Sequence, residues 1–342
     1  MALMQPSTPI DPGPSVAGRG LDLESIQAPV REDLSRVGDE LRRIVVSDFS
    51  MIKDVNEHLL FLQGKLFRPT LLLLSSRVGG KPEEDALTLA AVVELVHLAT
   101  LVHDDAVDHS VLRRGLPTVN ALWTHQVAII MGDYLYSRGV TELAQRGHLD
   151  ALTVLARAAN EMSVGEMRQL TSYDALDFTE DDYYRLIAAK TASLMSASCE
   201  MGALAGTGEY RTQLAQYGHN LGMAFQIADD LLDYTGTEAA TGKPTGHDLR
   251  ERKVTLPLVG ALAHATEAEE QEIRTFFTRV DPTDEEIDHI ISIVSARGGL
   301  EYARERADSY AGMALEALEG LPEGESFDAL RDAVPYAVDR RR

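Results

Sequence analysis

The stretch LVHDDAVDHSVLRRG, from Leu101 to Gly115, sets Asp104, Asp105 and Asp108 beside Val102 and Val107 and follows them at once with Arg113 and Arg114. The same Asp-Asp-x-x-Asp spacing returns in QIADDLLDY as Asp229, Asp230 and Asp233. On a helix the first and last aspartates of each triplet share a face, one turn apart, and like charges so placed repel. Each triplet also ends an apolar run, so the arrangement is costly unless a cation intervenes. Carboxylate oxygens suit hard cations, and Mg²⁺ is commonly held by one or two carboxylates together with phosphate oxygens and water. Two triplets facing across a helical core could hold several Mg²⁺ ions around one diphosphate. A single triplet reads more simply as a solvated helix end; its duplication favours metal and phosphate.

Cations accompany the clusters in a chain that is otherwise acidic. GKLFRP supplies Lys65 and Arg68, LRRG supplies Arg113 and Arg114, AAKTAS supplies Lys190 beside Thr191, and GKPTGHDLRERK supplies Lys243 and Lys253. An isolated lysine is usually a solvated surface charge. Together these residues have the character of an anion clamp, with arginine forks and lysine point charges for phosphate oxygens. Two acidic clusters and several basic ones suit two phosphorylated substrates, one bound through metal and one directly.

The elements that must position these residues are helical. The 342 residues are 44% hydrophobic but only 6% aromatic, which favours helix over strand and leaves ample material for a core. Apolar side chains recur at helical spacing nearly throughout. Helices are expected at about 85–105, 118–146, 150–170, 180–206, 211–234, 252–266, 268–279, 284–296, 299–320 and 326–339, with no run of alternating strands. The expected fold is an all-α, single-domain helical bundle spanning 21–342, preceded by a disordered Pro/Gly/Ser-rich tail at 1–20. The apolar run from Ala86 to Val102 contains Glu94 and His97 and meets two aspartates, so it reads as a core helix rather than a membrane span. A net charge of −22 argues against general nucleic-acid binding or adhesion to anionic membranes. The lone cysteine, Cys199, allows no internal disulfide and fits a cytoplasmic setting. Cys199, Trp123 and the methionines read as packing.

In their order along the chain, GKLFRP, LVHDDAVDHSVLRRGLPT, GDYLYSRG, AAKTAS, AFQIADDLLDYTG and GKPTGHDLRERKVTLP resemble the motifs of the trans-isoprenyl diphosphate synthases, the polyprenyl synthetase family. The resemblance covers about residues 30–330. It implies a helical bundle of the isoprenoid synthase type with a central apolar cavity. It also implies a Mg²⁺-dependent prenyltransferase, with three ions per site, that condenses isopentenyl diphosphate with an allylic diphosphate.

Carried over motif by motif, Asp104 and Asp108 would bind Mg²⁺ with Asp105 in support, and Asp229 the remaining Mg²⁺ with Asp230 and Asp233 adjoining or acting through water. Arg113, Lys190, Lys243 and Lys253 would contact the allylic diphosphate. Lys65, Arg68, His97 and Arg114 would hold isopentenyl diphosphate. Thr191 and Gln226 would line the site near the reacting carbons. A lone histidine on an apolar helix is ordinarily a core residue, so the role of His97 rests on motif context alone. Arg252 stands where the family often has glycine, which bears on the placement of Asp248 and Lys253.

Product length turns on what precedes the first cluster. Thr100 lies one turn and Val96 two turns before Asp104, with Ala99 beside Thr100. In the family, bulky aromatics at the fourth or fifth position before the cluster halt growth; here both residues are small. A helical turn rises about 5 Å, roughly one isoprene unit, so an unplugged pocket admits several units. With GEMRQLTSYD, this resembles the long-chain synthases that make quinone side chains, with products beyond C20. A geranylgeranyl or farnesyl diphosphate synthase is the nearest alternative, and a non-catalytic subunit of a heteromeric prenyltransferase is one from another class. Such subunits usually lose aspartates, whereas all six are present. A terpene cyclase would usually lack the second triplet. A homodimer is implied by the resemblance only.

Overall fold

The computed structural model describes residues 22–61, 64–82, 84–171, 175–236, 245–279 and 281–339. The expected tail at 1–20 and Lys243 lie outside the described residues. The element order is α1 (Leu23–Gln27), α2 (Arg31–Ile44), α3 (Ser50–Phe61), α4 (Phe67–Ser76), α5 (Ala86–Val107), β1 (Leu112–Arg113), β2 (Leu116–Pro117), α6 (Val119–Leu122), α7 (His125–Gln145), α8 (Leu149–Thr171) and α9 (Glu180–Ile187). A π-helical segment (Ala188–Ala192) joins α9 to α10 (Ser193–Leu204). There follow α11 (Arg211–Thr235), α12 (His247–Arg250), α13 (Leu256–Leu262), α14 (Glu267–Phe277), α15 (Asp284–Ala296), α16 (Gly299–Ala317) and α17 (Glu325–Val338).

The chain's own chemistry sets many of these boundaries. Thr179, Thr266 and Thr283 form reciprocal capping boxes with Asp182, Glu269 and Glu286, opening α9, α14 and α15. Thr124 caps α7 by accepting from Val127 N. Helix α5 is apolar nearly all round, and such a helix belongs inside. By length and composition it could cross a membrane, yet 72% of its apolar window is buried within the bundle. It packs against α2, α4, α7 and α10. Helix α10 lies between α4 and α11, and glycines permit the contact: a Cβ at Gly218 would meet Met195 O at 2.6 Å.

The main core draws on α2, α4, α5, α7, α8 and α10, with Leu41, Leu72, Val92, Leu135, Leu155 and Met201 among its buried side chains. A smaller cluster around Leu258, Ile273 and Ile290 packs α13, α14 and α15 together.

Three expectations need correction. The helix expected over 118–146 is broken at Trp123 and Thr124, where Trp123 leaves helical geometry at φ −115°, ψ −103°. The helix expected over 252–266 is shortened to α13, because Arg252 turns left-handed at φ 57° and Pro257 favours a helix start there. The stretch 180–206 is not one uniform α-helix but carries the π segment in its middle. The structure also adds α1, α2, α3 and α4 ahead of the helices expected from about residue 85, and a two-stranded antiparallel ribbon pairing Leu112 with Pro117 and Arg113 with Leu116.

Candidate active site

The two aspartate triplets end α5 and α11, and the π segment joins them. Lys190 Nζ lies 3.8 Å from Asp104 Oδ2 in the first triplet. Its neighbour Thr191 donates from Oγ1 to Gln226 Oε1 at 2.7 Å, and Gln226 Nε2 donates to Asp230 Oδ1 in the second at 2.8 Å. Adjacent residues of one segment thus reach one cluster each. Regular α geometry puts consecutive side chains about 100° apart; a π insertion changes that register locally, which is why such segments recur at functional sites. Close packing locates this one. A Cβ at Gly165 of α8 would stand 2.7 Å from Ala189 Cβ, and one at Gly222 of α11 would stand 2.6 Å from Ala192 Cα.

The six aspartates grouped together in sequence separate into two sets. Asp105 is buried and accepts two-pronged bonds from Arg113 Nε and Nη2 at 2.8–3.0 Å. Asp230 is buried between Tyr183 OH, at 2.6 Å, and Gln226. Asp233 accepts from the backbone N–H groups of His247 and Asp248 at 3.2 and 3.0 Å, fastening α12 to the end of α11. These three carboxylates organise the protein around the site. Asp108 and Asp229 are exposed, and Asp104 is half-buried. Burial pushes the Asp104 carboxyl up to about 6, with the neighbouring charges of Glu166 and Asp108 adding to the effect and Lys190 opposing it.

Among the described residues no three or more His, Cys, Asp or Glu side chains converge as a closed cage. Mg²⁺ takes one or two carboxylates and fills its shell with substrate oxygens and water. The donor set of hard carboxylate oxygens on Asp104, Asp108 and Asp229 fits such an ion.

A second group of charges gathers along the inner face of α5. Glu94 is buried at 3% exposure; burial pushes its carboxyl up, while the charges of Arg68 and Arg114 pull it down. His97 is held well below its ordinary value by burial and by Arg68, Arg114 and Arg113, so its imidazole is neutral near pH 7. The Arg114 guanidinium lies over the backbone at Gly64, where a Cβ would meet Nη2 at 2.7 Å. GKLFRP and LRRG therefore come together in space, and the glycine of the first makes room for the arginine of the second. Lys65 is exposed beside them, its carbonyl accepting from Gln27 Nε2 at 2.8 Å.

Lys253 Nζ donates to Glu251 Oε2 at 2.6 Å. Burial disfavours its charge, but Glu251, Asp248 and Asp108 outweigh that and raise its proton affinity. Asp248 is pushed up to about 6 by burial and the nearby Asp233 charge. Below the first triplet, Val96 and Ala99 are buried, and Thr100 Oγ1 donates to the His97 carbonyl at 2.8 Å.

Sequence reasoning missed Glu94, Glu166, Gln169 and Tyr183. Glu166 and Gln169 both accept from Lys190 Nζ, at 2.7 and 3.3 Å. Their i, i+3 spacing in GEMRQL puts them on one face of α8, a signal that was available.

An all-α bundle with two aspartate-rich helix ends, bridged by a segment carrying lysine and threonine, is the architecture of the isoprenoid synthases. The polyprenyl synthetase family model matches residues 49–294. The chain is 38% identical to heptaprenyl diphosphate synthase component 2 of Geobacillus stearothermophilus, over 94% of this chain and 99% of that protein. The crystal structure of a decaprenyl diphosphate synthase from Rhodobacter capsulatus superposes with a TM-score of 0.88 at 38% identity, covering 94% of this chain and all of that one (100%). A polyprenyl synthase from Caulobacter crescentus CB15, crystallised with calcium and isoprenyl diphosphate, also reaches 0.88, at 33% identity, covering 95% of this chain and 100% of that one. The chain belongs to the polyprenyl synthetase family.

Proposed function

We propose that this chain condenses isopentenyl diphosphate with an allylic diphosphate, repeatedly, to make an all-trans polyprenyl diphosphate longer than C20 that serves as a quinone side chain. The observation that carries this reading is the bridge from Asp104 through Lys190 and Thr191 to Gln226 and Asp230. It links the two acidic clusters through a lysine, which supports reading them as one site. The long product is supported by the small Ala99 and Thr100 before the first triplet and by relatives named for heptaprenyl and decaprenyl products.

In this reading Asp104, Asp108 and Asp229 hold Mg²⁺, three ions per site. Arg113, Lys190, Lys243 and Lys253 face the allylic diphosphate. Lys65, Arg68, His97 and Arg114 hold isopentenyl diphosphate, and Thr191 and Gln226 flank the reacting carbons. Bound Mg²⁺ supplies charge neutralisation for the departing diphosphate. Lys190 and Lys253 add fixed positive charge where negative charge develops, at no reorganisation cost during reaction. As the allylic carbon–oxygen bond breaks, the isopentenyl double bond attacks the allylic cation, and the released diphosphate takes the proton lost. The apolar residues beneath Asp104 keep water from quenching the cation.

The functional unit in this proposal is one domain over residues 21–342, paired as a cytoplasmic homodimer. Exposed Ile129 and Ile130 on α7, with Val164, Met167 and Leu170 on α8, support the pairing. The deciding experiment incubates the purified protein with farnesyl diphosphate, labelled isopentenyl diphosphate and Mg²⁺ and measures product length. No condensation at all would overturn the reading. Products ending at C15 or C20 would make it a farnesyl or geranylgeranyl synthase.

A further inference from the structure

Tyr183 belongs to none of the motifs, yet it is buried at 1% exposure and its hydroxyl donates to Asp230 Oδ2 at 2.6 Å. The other oxygen of Asp230 accepts from Gln226 Nε2 at 2.8 Å, and Gln226 Oε1 accepts from Thr191 Oγ1 at 2.7 Å. The chain of bonds is a loop. Tyr183 on α9 and Thr191 in the π segment lie on one continuous helical path, and both are fastened to the same turn of α11. A π insertion adds a residue to its turn, so the register of its side chains against the flanking helices needs outside definition. Two tethers, one ahead of the insertion at Tyr183 and one within it at Thr191, supply it. Packing alone asks only for a ring at position 183, since the ring rests edge-on against Tyr184 with centroids 5.8 Å apart. The hydroxyl is needed only for the bond to Asp230.

We propose that Tyr183 is a positioning residue: its hydroxyl clamps the Asp230 carboxylate, which orients the second aspartate cluster. Through Gln226 and Thr191 the clamp also sets the π segment that presents Lys190 to Asp104. The inference rests on the proposed reading of the site as one that holds Mg²⁺ and a diphosphate. Buried networks of this kind rigidify when every member is satisfied and lose definition when one member is removed.

Tyr183→Phe keeps the ring and deletes the clamp. Calorimetric titration of Mg²⁺ into the full chain with inorganic pyrophosphate present reads the effect without turnover. The apparent Mg²⁺ affinity should fall about fivefold or more, the scale of one lost hydrogen bond. The thermal midpoint should stay within a few degrees of the parent. The Michaelis constant should rise for the allylic diphosphate and hold for isopentenyl diphosphate. In an Asp230→Ala background, adding Tyr183→Phe should change Mg²⁺ affinity less than about twofold, because the acceptor is already gone. Thr191→Val, which cuts the loop at its far end, should reproduce the allylic bias. Parental Mg²⁺ affinity in Tyr183→Phe, equal weakening of both substrates, or full additivity with Asp230→Ala would each overturn the proposal. If the parent binds Mg²⁺ and pyrophosphate but condenses no prenyl substrates, the prenyltransferase reading fails while the clamp is still decided by the titration.

Discussion

Lys190 and Asp104 meet across the seam between the π segment and α5, with Nζ 3.8 Å from Oδ2, while Glu166 Oε2 holds the same ammonium at 2.7 Å. This lysine is shared between two carboxylates and held between α5 and α8, where in the proposed reading an incoming diphosphate competes for it. The same contact links a proposed metal ligand to a proposed phosphate ligand. The consequences can be tested residue by residue.

Removing one proposed metal ligand should leave the diphosphate's charge poorly compensated. Asp104→Ala and Asp229→Ala should each lower turnover at least about 100-fold, equivalent to roughly 2.7 kcal/mol. EDTA should abolish activity in the parent. Steady-state kinetics on folded variants decides the matter, and near-parental turnover in either one would remove the two-cluster mechanism.

Arg113 and Arg114 are adjacent but diverge. Arg113 forks onto buried Asp105, whereas Arg114 lies over Gly64 and near Glu94 and His97. Arg114→Ala should raise the Michaelis constant for isopentenyl diphosphate more than for the allylic substrate, and Arg113→Ala should show the opposite bias. Arg113→Ala also strands a buried carboxylate, so it should cost about 1–3 kcal/mol of stability that Arg114→Ala does not. Substrate-resolved kinetics and chemical denaturation of both variants test the two halves separately. Equal effects of each substitution on both substrates would make the assignment wrong.

Some of this was legible in the sequence and some was not, for definable reasons. The triplets were visible because i, i+4 carboxylates on an apolar helix are costly and must be explained. Leu34, Val37, Leu41 and Ile44 of α2 keep a helical period that was there to be read, although the charges between them diluted it. The π segment left no local mark: AAKTAS has the pattern of an ordinary helix, and what defines its path are Gly165 and Gly222 on two other helices. The division of labour among the aspartates was equally hidden, since it is made by Arg113, Tyr183 and the N–H groups of His247 and Asp248. Residue type and spacing drew attention to the carboxylates; tertiary partners set which of them are buried and bonded and which stay exposed.

At the opposite end of α5, an ion-pair network joins α2, α5 and α7. Arg43 bonds Glu40 at 2.9 Å and Glu142 at 2.5 Å, and Arg146 bonds Glu142 at 2.7 Å and also Asp85. The arginine partners hold Glu40 and Glu142 below their ordinary range against the opposing effect of burial, and His148 with Arg146 does the same for Asp85. Groups with depressed folded-state values stabilise the fold above their unfolded values, near pH 4–4.5, and that stability is lost as the pH falls below it. Glu142→Gln should therefore lower stability by about 1 kcal/mol at pH 7, discounted for the exposed arginines. It should also flatten the decline between about pH 5 and 3. Thermal melts across that range check the sign, and an unchanged acid limb would mean the network contributes nothing to pH dependence.

Ala99 is buried at 2% exposure on α5, one turn and one residue before Asp104 and beside Thr100. If the growing chain descends along this wall, a phenyl ring there fills space an isoprene unit must enter, and overpacking costs on the order of 1–3 kcal/mol. The diphosphate stays fixed at the aspartates, so a blocked tail cannot be relieved by sliding the head outward. Growth should stop early while the first condensation, more than a turn above, survives. Ala99→Phe is thus expected to shift products towards farnesyl or geranylgeranyl diphosphate and to retain condensation of short starters. Reversed-phase chromatography of dephosphorylated products reads the distribution directly. An unchanged long product from a folded Ala99→Phe protein would show that this face of α5 does not meet the chain, and the small pair Ala99 and Thr100 would cease to support a long-chain assignment.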